Sequence, residues 1–295
     1  MVSECIFLYR KERAQELVRK ENPYQVKRNI QNGVEYLTFP ILSDIDGIRH
    51  LFSTRIGGVS KGIYESMNLS YQRGDDPECV DENFRRIAAI LETTPDAIVC
   101  GKQTHTTNIR KVSGQDCGKG VTKPVDYDDI DGLVTNEPGI VLCTSFADCV
   151  PLYFVDPVKK AIGLAHSGWR GTVGHMGACM VKRMKEEYGS APEDIIAVIG
   201  PSICSDCYEI GEDVADQVRE AFPEGKVLLS GKAEGKYQLD LWEANRQVLL
   251  HAGILQEHLE ITDVCTCCNS DLLFSHRASH GKRGNLCAFL ELRKC

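Results

Sequence analysis

Three apolar runs of strand length crowd the middle of the chain: Ile140–Phe146, Pro151–Val155 and Ala161–Ala165. The last two flank an Asp156-Pro157 turn signal, which demands a hairpin there. Further strands are expected at Val34–Phe39, Ile48–Ser53, Ala97–Cys100, Ile195–Ile199 and Leu286–Leu292. Asp76-Pro77 opens a helix on which Val80, Phe84, Ile87 and Leu91 recur at spacings of three and four. Another helix runs from about Thr172 to Tyr188 and stops at Gly189, a natural C-terminal cap. Two more are expected around 211–222 and 241–252. Strands and helices alternate irregularly, with hairpin-length connections. This pattern favours an α+β fold over a doubly wound one: a single domain with a mixed β-sheet core layered by helices. Residues 34–295 form that domain. Residues 1–33 precede it as an extension packed on its surface, with a charged, irregular stretch over 1–30 that is read as a helix and a connection.

Composition narrows the function classes. A chain of 295 residues with 42% apolar and 26% charged side chains buries a sizeable core, so disorder and a disulfide-stapled miniprotein are excluded. Against 34 basic residues stand 42 acidic ones, a net charge of −8, with no basic block. Such a surface repels phosphate backbones and anionic lipid, which argues against nucleic acid or membrane as partner. No apolar run approaches the roughly 20 residues of a membrane span. The short greasy stretch Cys5–Tyr9 precedes Arg10, Lys11 and Arg13, the reverse of a secretory signal. A cytoplasmic location is expected. There the 14 cysteines are mostly small buried hydrophobes, with a minority serving as ligands or nucleophiles.

The hairpin suggests which minority. The midpoint between Cys149 and His166 falls within the Asp156–Lys159 turn, so a regular hairpin sets the two directly opposite each other. Opposed residues project to one face with Cβ atoms about 4.5–5.5 Å apart. A thiolate and an imidazole so placed can share a zinc ion. As a buried cysteine beside a satisfied histidine, the pair would need no function. His105 supplies a third donor, in the polar segment Gly101–Thr106 after the Ala97–Cys100 strand, where a core histidine is out of place. His105, Cys149 and His166 make a three-ligand set with an open fourth position, as catalytic zinc requires.

Several segments then point to a family. Phe52–Ser60 (FSTRIGGVS), Met67–Ser70 (MNLS), Gly74–Pro77 (GDDP), Gln103–His105 (QTH), Asp131–Thr135 (DGLVT), Ala147–Pro151 (ADCVP), Ala165–Gly171 (AHSGWRG) and Gly200–Ile203 (GPSI) together resemble the YfiH/YlmD family, whose members have been labelled laccase-domain or polyphenol oxidase proteins. The resemblance runs from about Val34 to the C-terminus, in order and without a large gap. It implies a cytoplasmic α+β fold and a zinc ion bound by a His, a Cys and a second His, at the positions of His105, Cys149 and His166. It also implies phosphorolysis of purine nucleosides (adenosine, inosine, guanosine, methylthioadenosine) with orthophosphate, and adenosine deamination in the same site.

Other residues carry a functional and a plain reading side by side. Arg55, beside a glycine-rich loop, has the fork geometry that suits phosphate, but it also fits as a surface arginine. Asn68 is placed to bond ribose or base, or to serve as a turn residue. Arg277, in the polar Ser275–Asn285 run, is a second candidate anion contact. Asp148 adjoins Cys149 and reads as a supporting residue rather than the general acid, since on a strand it points to the other face. Trp169 can stack on a base or pack. Gly168, Gly171 and Gly174 allow a tight turn and do not follow the dinucleotide spacing. Cys204-x2-Cys207 and Cys265-x2-Cys268 form a rival metal set, but 57 residues separate the pairs where 15–20 are usual. His276 and His280 share helical spacing, yet Gly281 and Gly284 favour a loop.

A multicopper oxidase needs about ten histidines, many in His-x-His pairs; this chain has eight and no such pair. A Cys–His hydrolase or amidase acting on cell-wall precursors, with Cys149 as nucleophile and His166 as base, is the second reading. It has no need of His105. A non-catalytic metal-binding scaffold is the third. The favoured reading is a zinc-dependent purine nucleoside phosphorylase with adenosine deaminase activity. Its zinc polarises water in deamination, and either phosphate or the ribose oxygen in phosphorolysis.

Overall fold

Two six-stranded sheets face each other across a shared apolar layer in a computed structural model of the chain, which describes residues 17, 26–223, 227–231 and 233–294. The strands are β1 (Lys27–Gln31), β2 (Val34–Thr38), β3 (Ile48–Ser53), β4 (Ile98–Cys100), β5 (Ile109–Lys111), β6 (Gly132–Thr135), β7 (Val141–Phe146), β8 (Val150–Asp156), β9 (Ala161–Ser167), β10 (Ile196–Ile199), β11 (Glu209–Gly211), β12 (Leu228–Ser230), β13 (Lys236–Leu239), β14 (Leu259–Ile261) and β15 (Leu286–Leu292). The first sheet runs β1-β2-β3-β15-β7-β4, the second β14-β10-β8-β9-β6-β5, and β11-β13-β12 form a small third. Parallel pairs β4–β7, β5–β6 and β10–β14 make both large sheets mixed.

Alternation of side chains explains the layering. Phe52, Leu142 and Leu286 of the first sheet meet Tyr153, Leu164 and Val198 of the second in one buried cluster. On the outer face of the first sheet, Leu51, Val141 and Phe289 pack on Val80, Phe84 and Ile87 of the Pro77–Ile90 helix. On the outer face of the second, Leu152, Phe154 and Ala165 pack on Met176 and Met180 of the Met176–Tyr188 helix and on Leu249 of the Leu241–His251 helix. The order is helix, sheet, sheet, helix. Strands covered on both sides read as continuous apolar runs, and every residue of β8, β9 and β15 is buried.

Three expectations need correction. β1 pairs with β2 along its whole length, so Lys27–Ile30, read as the end of the irregular 1–30 stretch, is a strand of the first sheet. The helix expected within 1–30 falls largely outside the described residues. The single helix read over 172–188 is two, Trp169–Val173 and Met176–Tyr188, broken at Gly174 and at His175 with its left-handed φ of 57°. A Cβ on Gly174 would meet Thr107 Cγ2 at 2.8 Å, so the break also admits the loop before β5.

The hairpin register is the third. Asp156 pairs with Ala161 and Pro151 with His166, which leaves Pro157–Lys160 as a four-residue loop. Asp156 Oδ1 accepts from the Val158 and Lys159 amides at 2.9 Å each, and Lys160 turns left-handed at φ 51°. Cys149 therefore lies one residue ahead of β8 and diagonal to His166, not opposite it. The shift moves the loop centre by one residue, and so keeps both side chains on the inter-sheet face.

Candidate functional site

Two connections cross from the first sheet to the second at one end of the sandwich, and each carries a donor. The β4–β5 connection carries His105, and the β7–β8 connection carries Cys149. His166 stands near the end of β9 between them. The Nδ1/Nε2 and Sγ ligand atoms of the three lie within 4.8 Å of one another, and the two rings meet edge-on with centroids 4.9 Å apart. Bonds of 2.0–2.3 Å to one tetrahedral ion set donors about 3.3–3.6 Å apart, so the set fits a single metal.

Asp131 holds this arrangement. Continuing the β6–β9 register, in which Gly132 pairs with Ala165, sets it opposite His166, whose amide donates to the Asp131 carbonyl at 2.8 Å. Its carboxylate lies 2.8 Å from His166 Nδ1 through Oδ1, which keeps that proton on Nδ1 and turns Nε2 toward the donors. The same carboxylate accepts the backbone N–H groups of Thr104, His105 and Thr106 at 2.9, 3.1 and 3.0 Å. It thereby fixes the turn in which His105 takes a φ of 67°. Gln103 clamps the loop from the other side, donating to the Ser145 carbonyl at 2.9 Å and accepting its amide at 2.7 Å.

Gly168 supplies space rather than conformational freedom. Its backbone is ordinary, with φ −71°, but a Cβ there would stand 3.0 Å from both Cys149 Sγ and His105 Cδ2.

The electrostatics are those of a coupled pair. Burial alone raises the Cys149 thiol, but His166 and His105 beside it outweigh burial and bring it down to about 6. Burial lowers His166, and the Cys149 thiolate together with the Asp131 carboxylate lifts it to about 9. Burial likewise works against the Asp131 carboxylate, and its bond to His166 and the backbone donors win, holding it below its ordinary value.

The donors line a cavity of about 750 Å³, a size that suits a nucleoside. Arg73 and Arg283 line it too. Each guanidinium has a buried Nε with no hydrogen-bond partner. Arg283 is pushed down to about 10, by burial first and by neighbouring Arg73 second. Both guanidinium groups are half-buried and also donate to backbone carbonyls, Arg73 to Gly281 at 3.1 Å and Arg283 to Gly284 at 3.2 Å.

The three substrate contacts expected from sequence lie outside the cavity lining, each bonded to protein partners. Arg55 donates from Nε to the Glu65 carbonyl at 2.8 Å and from Nη1 to the Ser270 carbonyl at 3.0 Å, and lies over the Phe274 ring. Arg277 donates to the carbonyls of Cys207 and Glu209 at 3.3 and 3.0 Å. Asn68 is fully buried, bonded to Ser70, Asp75 and the Asn285 amide. None of the three is among the residues lining the cavity. They brace loops around it.

Asp148 takes a left-handed φ of 89° and accepts from Thr266 Oγ1 and the Arg277 amide at 2.7 Å each. It supports the Cys149 turn. Trp169 packs on the core under Arg170. His276 and His280 sit in turns, and neither joins a metal-competent group among the described residues.

The sequence gives little sign of Asp131 and Gln103, which brace the donors, or of Arg73 and Arg283, which line the cavity. An aspartate at the mouth of an apolar strand was the one visible signal for the first. Arg73 and Arg283 lie 210 positions apart, and no spacing rule joins them.

A family model described as multi-copper polyphenol oxidoreductase laccase matches residues 49–293. The chain is similar to purine nucleoside phosphorylase YlmD of Bacillus subtilis, 39% identical over 244 residues, which cover 82% of this chain and 88% of that one. An adenosine deaminase from an unknown prokaryotic organism is 30% identical over 252 residues, covering 83% of this chain and 94% of that one. Among solved structures, the YfiH protein of Bacillus licheniformis superposes with a TM-score of 0.84 at 37% identity, covering 92% of this chain and all of that one. No helix among the described residues is long and apolar enough to cross a membrane.

Two outcomes follow from this geometry. Between about pH 6 and about 9 the metal-free pair is thiolate and imidazolium, so zinc loaded at these three donors alone, with Cys207 and Cys268 replaced by serine, should release about one proton per chain, from His166. Proton release measured in weakly buffered solution at pH 7.5 checks this; no release would mean that His166 is already neutral. Asp131→Asn should weaken metal retention by about 10–100-fold, as losses of such orienting groups do. Competition with a chromophoric chelator reads it, and unchanged retention would show that His166 is oriented without the carboxylate.

Proposed function

Because the chain belongs to the YfiH/YlmD family of laccase-domain proteins, we propose that it cleaves purine nucleosides with orthophosphate at a zinc ion held by His105, Cys149 and His166. The observation that carries this reading is the convergence of those three donors with Arg73 and Arg283 in one nucleoside-sized cavity. Adenosine, inosine, guanosine and methylthioadenosine are the substrates, and the products are the base and a sugar 1-phosphate. Deamination of adenosine in the same cavity belongs to the proposal and is supported by the relative named as a deaminase.

Histidine count, rather than donor type, favours zinc over the multicopper reading of the family description, since two imidazoles and a thiolate also serve mononuclear blue copper. One thiolate with two imidazoles suits zinc. A multicopper centre would need about ten histidines, and the chain has eight, of which two belong to the metal-competent groups among the described residues. When bound, the ion would supply Lewis acidity toward an oxygen in the cavity.

The chain's own residues do the rest. Asp131 keeps the His166 proton on Nδ1, and Gly168 leaves the donors room to converge. We assign the phosphate to Arg73 and Arg283, which line the cavity as Arg55 and Arg277 do not: an anion there supplies an acceptor to each buried Nε and relieves the repulsion between the two cations. Phosphate so held lies in the same cavity as the donors, which converts a two-substrate encounter into an oriented one.

The Cys–His hydrolase reading has one observation in its favour. Cys149, His166 and Asp131 stand in the order of a nucleophile, a base and an orienting carboxylate. His105 separates the two. His105→Ala should abolish nucleoside cleavage together with metal content, and chelators should inactivate the wild type. A chelator-resistant, active His105→Ala would establish the thiol mechanism instead. Arg283→Ala should raise KM for orthophosphate by about 10–100-fold, the worth of one or two charge-assisted bonds, while adenosine deamination changes little. Equal losses in both activities would give Arg283 a shared structural role.

A further inference from the structure

Outside the cavity, four sulfurs stand together. Cys204, Cys207, Cys265 and Cys268 have their Sγ atoms within 4.8 Å of one another, with Cys207 and Cys268 at 3.5 Å. By spacing alone, the 57 residues between the two Cys-x2-Cys pairs argue against a shared site. The sheet removes that objection. β10 and β14 pair in parallel, Ile199 beside Ile261, and each strand runs directly into one of the pairs. An isolated bridge between Ser202 and Cys265 carries the pairing on, with the Ser202 amide on the Val264 carbonyl and the Thr266 amide on that of Ser202. Two loops distant in sequence are thus laid side by side.

We propose that these four cysteines hold a second metal ion, a structural zinc bound as a tetrathiolate and separate from the His105, Cys149 and His166 centre. Four thiolates around zinc at about 2.3 Å place neighbouring sulfurs about 3.8 Å apart, which a cluster of this compactness meets. A centre of several irons, each taking one thiolate, would hold the sulfurs wider. Binding exchanges four S–H protons for four Zn–S bonds and involves no change of oxidation state. The surroundings suit the net negative charge left on the sulfurs. The amides of Cys204 and Cys268 both donate to Cys265 Sγ, at 3.3 and 3.4 Å, and the Arg277 guanidinium lies on the Cys207 carbonyl. Cys204 and Cys265 are buried while Cys268 is exposed, which gives the ion an entry path.

The position gives the ion a task. Thr266, inside the second pair, donates to Asp148, the residue that turns the chain into Cys149. The Ile203 amide, next to the first pair, donates to the Asp148 carbonyl at 2.9 Å. A zinc ion closing both loops would stiffen the support of the active-site thiolate.

Elemental analysis of desalted protein loaded with zinc under reducing conditions tests this, comparing wild type, His105→Ala and the double variant Cys207→Ser/Cys268→Ser. The expected contents are about two, one and one ions per chain. If wild type holds one ion that His105→Ala keeps and the double variant loses, the four-cysteine site stands and the active-site metal fails. One ion lost by His105→Ala and kept by the double variant overturns the present inference and leaves the active-site metal intact. Should the double variant not fold, cobalt-loaded His105→Ala decides alone. Intense sulfur-to-cobalt charge-transfer bands of a tetrathiolate support the site, and a folded, colourless protein whose cluster cysteines all react with a thiol reagent overturns it.

Discussion

The Asp131 carboxylate sits at the seam of the sandwich and serves two elements at once. It bonds His166 on the neighbouring strand and accepts three consecutive amides of the loop that carries His105. Both bonds depend on β6 lying beside β9 in the observed register, so the backbone ladder fixes the donor geometry before any ion arrives. A carboxylate with no exposed surface and so many donors stays ionised despite its burial. That standing charge holds the His166 tautomer, and the tautomer decides whether the two histidines and the thiolate can meet on one ion.

The rest of the architecture serves to bring distant segments to this point. His105 and Cys149 ride on connections that pass from one sheet to the other at the same end, and His166 closes the gap from within the second sheet. The four-cysteine cluster follows the same logic at β10 and β14, where parallel neighbours deliver two loops to one place. Asp148 lies between the two centres, tied to Thr266 and Arg277 on the cysteine-loop side and to Cys149 by the chain itself. Most of the donors sit in connections between strands, His166 excepted, and rigidity comes from strands buried on both faces.

Much of this was legible in the residues. Period and length located β3 and β15 to the residue and β8, β9 and the 77–90 helix to within a residue or two, because strands buried on both faces and an amphipathic helix leave strong local signals. The pairing of the strands into two sheets was not legible, since periodicity reports burial and says nothing of partners. The hairpin centre was misplaced by one residue because Asp156 begins the turn as a capping acceptor while still paired in the strand. Residue type next to glycine-rich or polar loops is the only signal that singles out Arg55, Asn68 and Arg277. Their side chains are consumed by backbone carbonyls and neighbouring side chains that only the folded chain brings near. Separation along the chain misled in the same way for the cysteine pairs, because a parallel crossover erases 57 residues of distance.

The central claim is that the cavity transfers the sugar of a purine nucleoside to phosphate beside a metal-competent centre. Phosphorus-31 NMR of the zinc-loaded protein with inosine and orthophosphate tests it most directly. The account predicts growth of a sugar 1-phosphate resonance in step with release of the free base, and no base release when phosphate is withheld. Base release at the same rate without phosphate, or an unchanged phosphate resonance while the nucleoside is consumed, would contradict it.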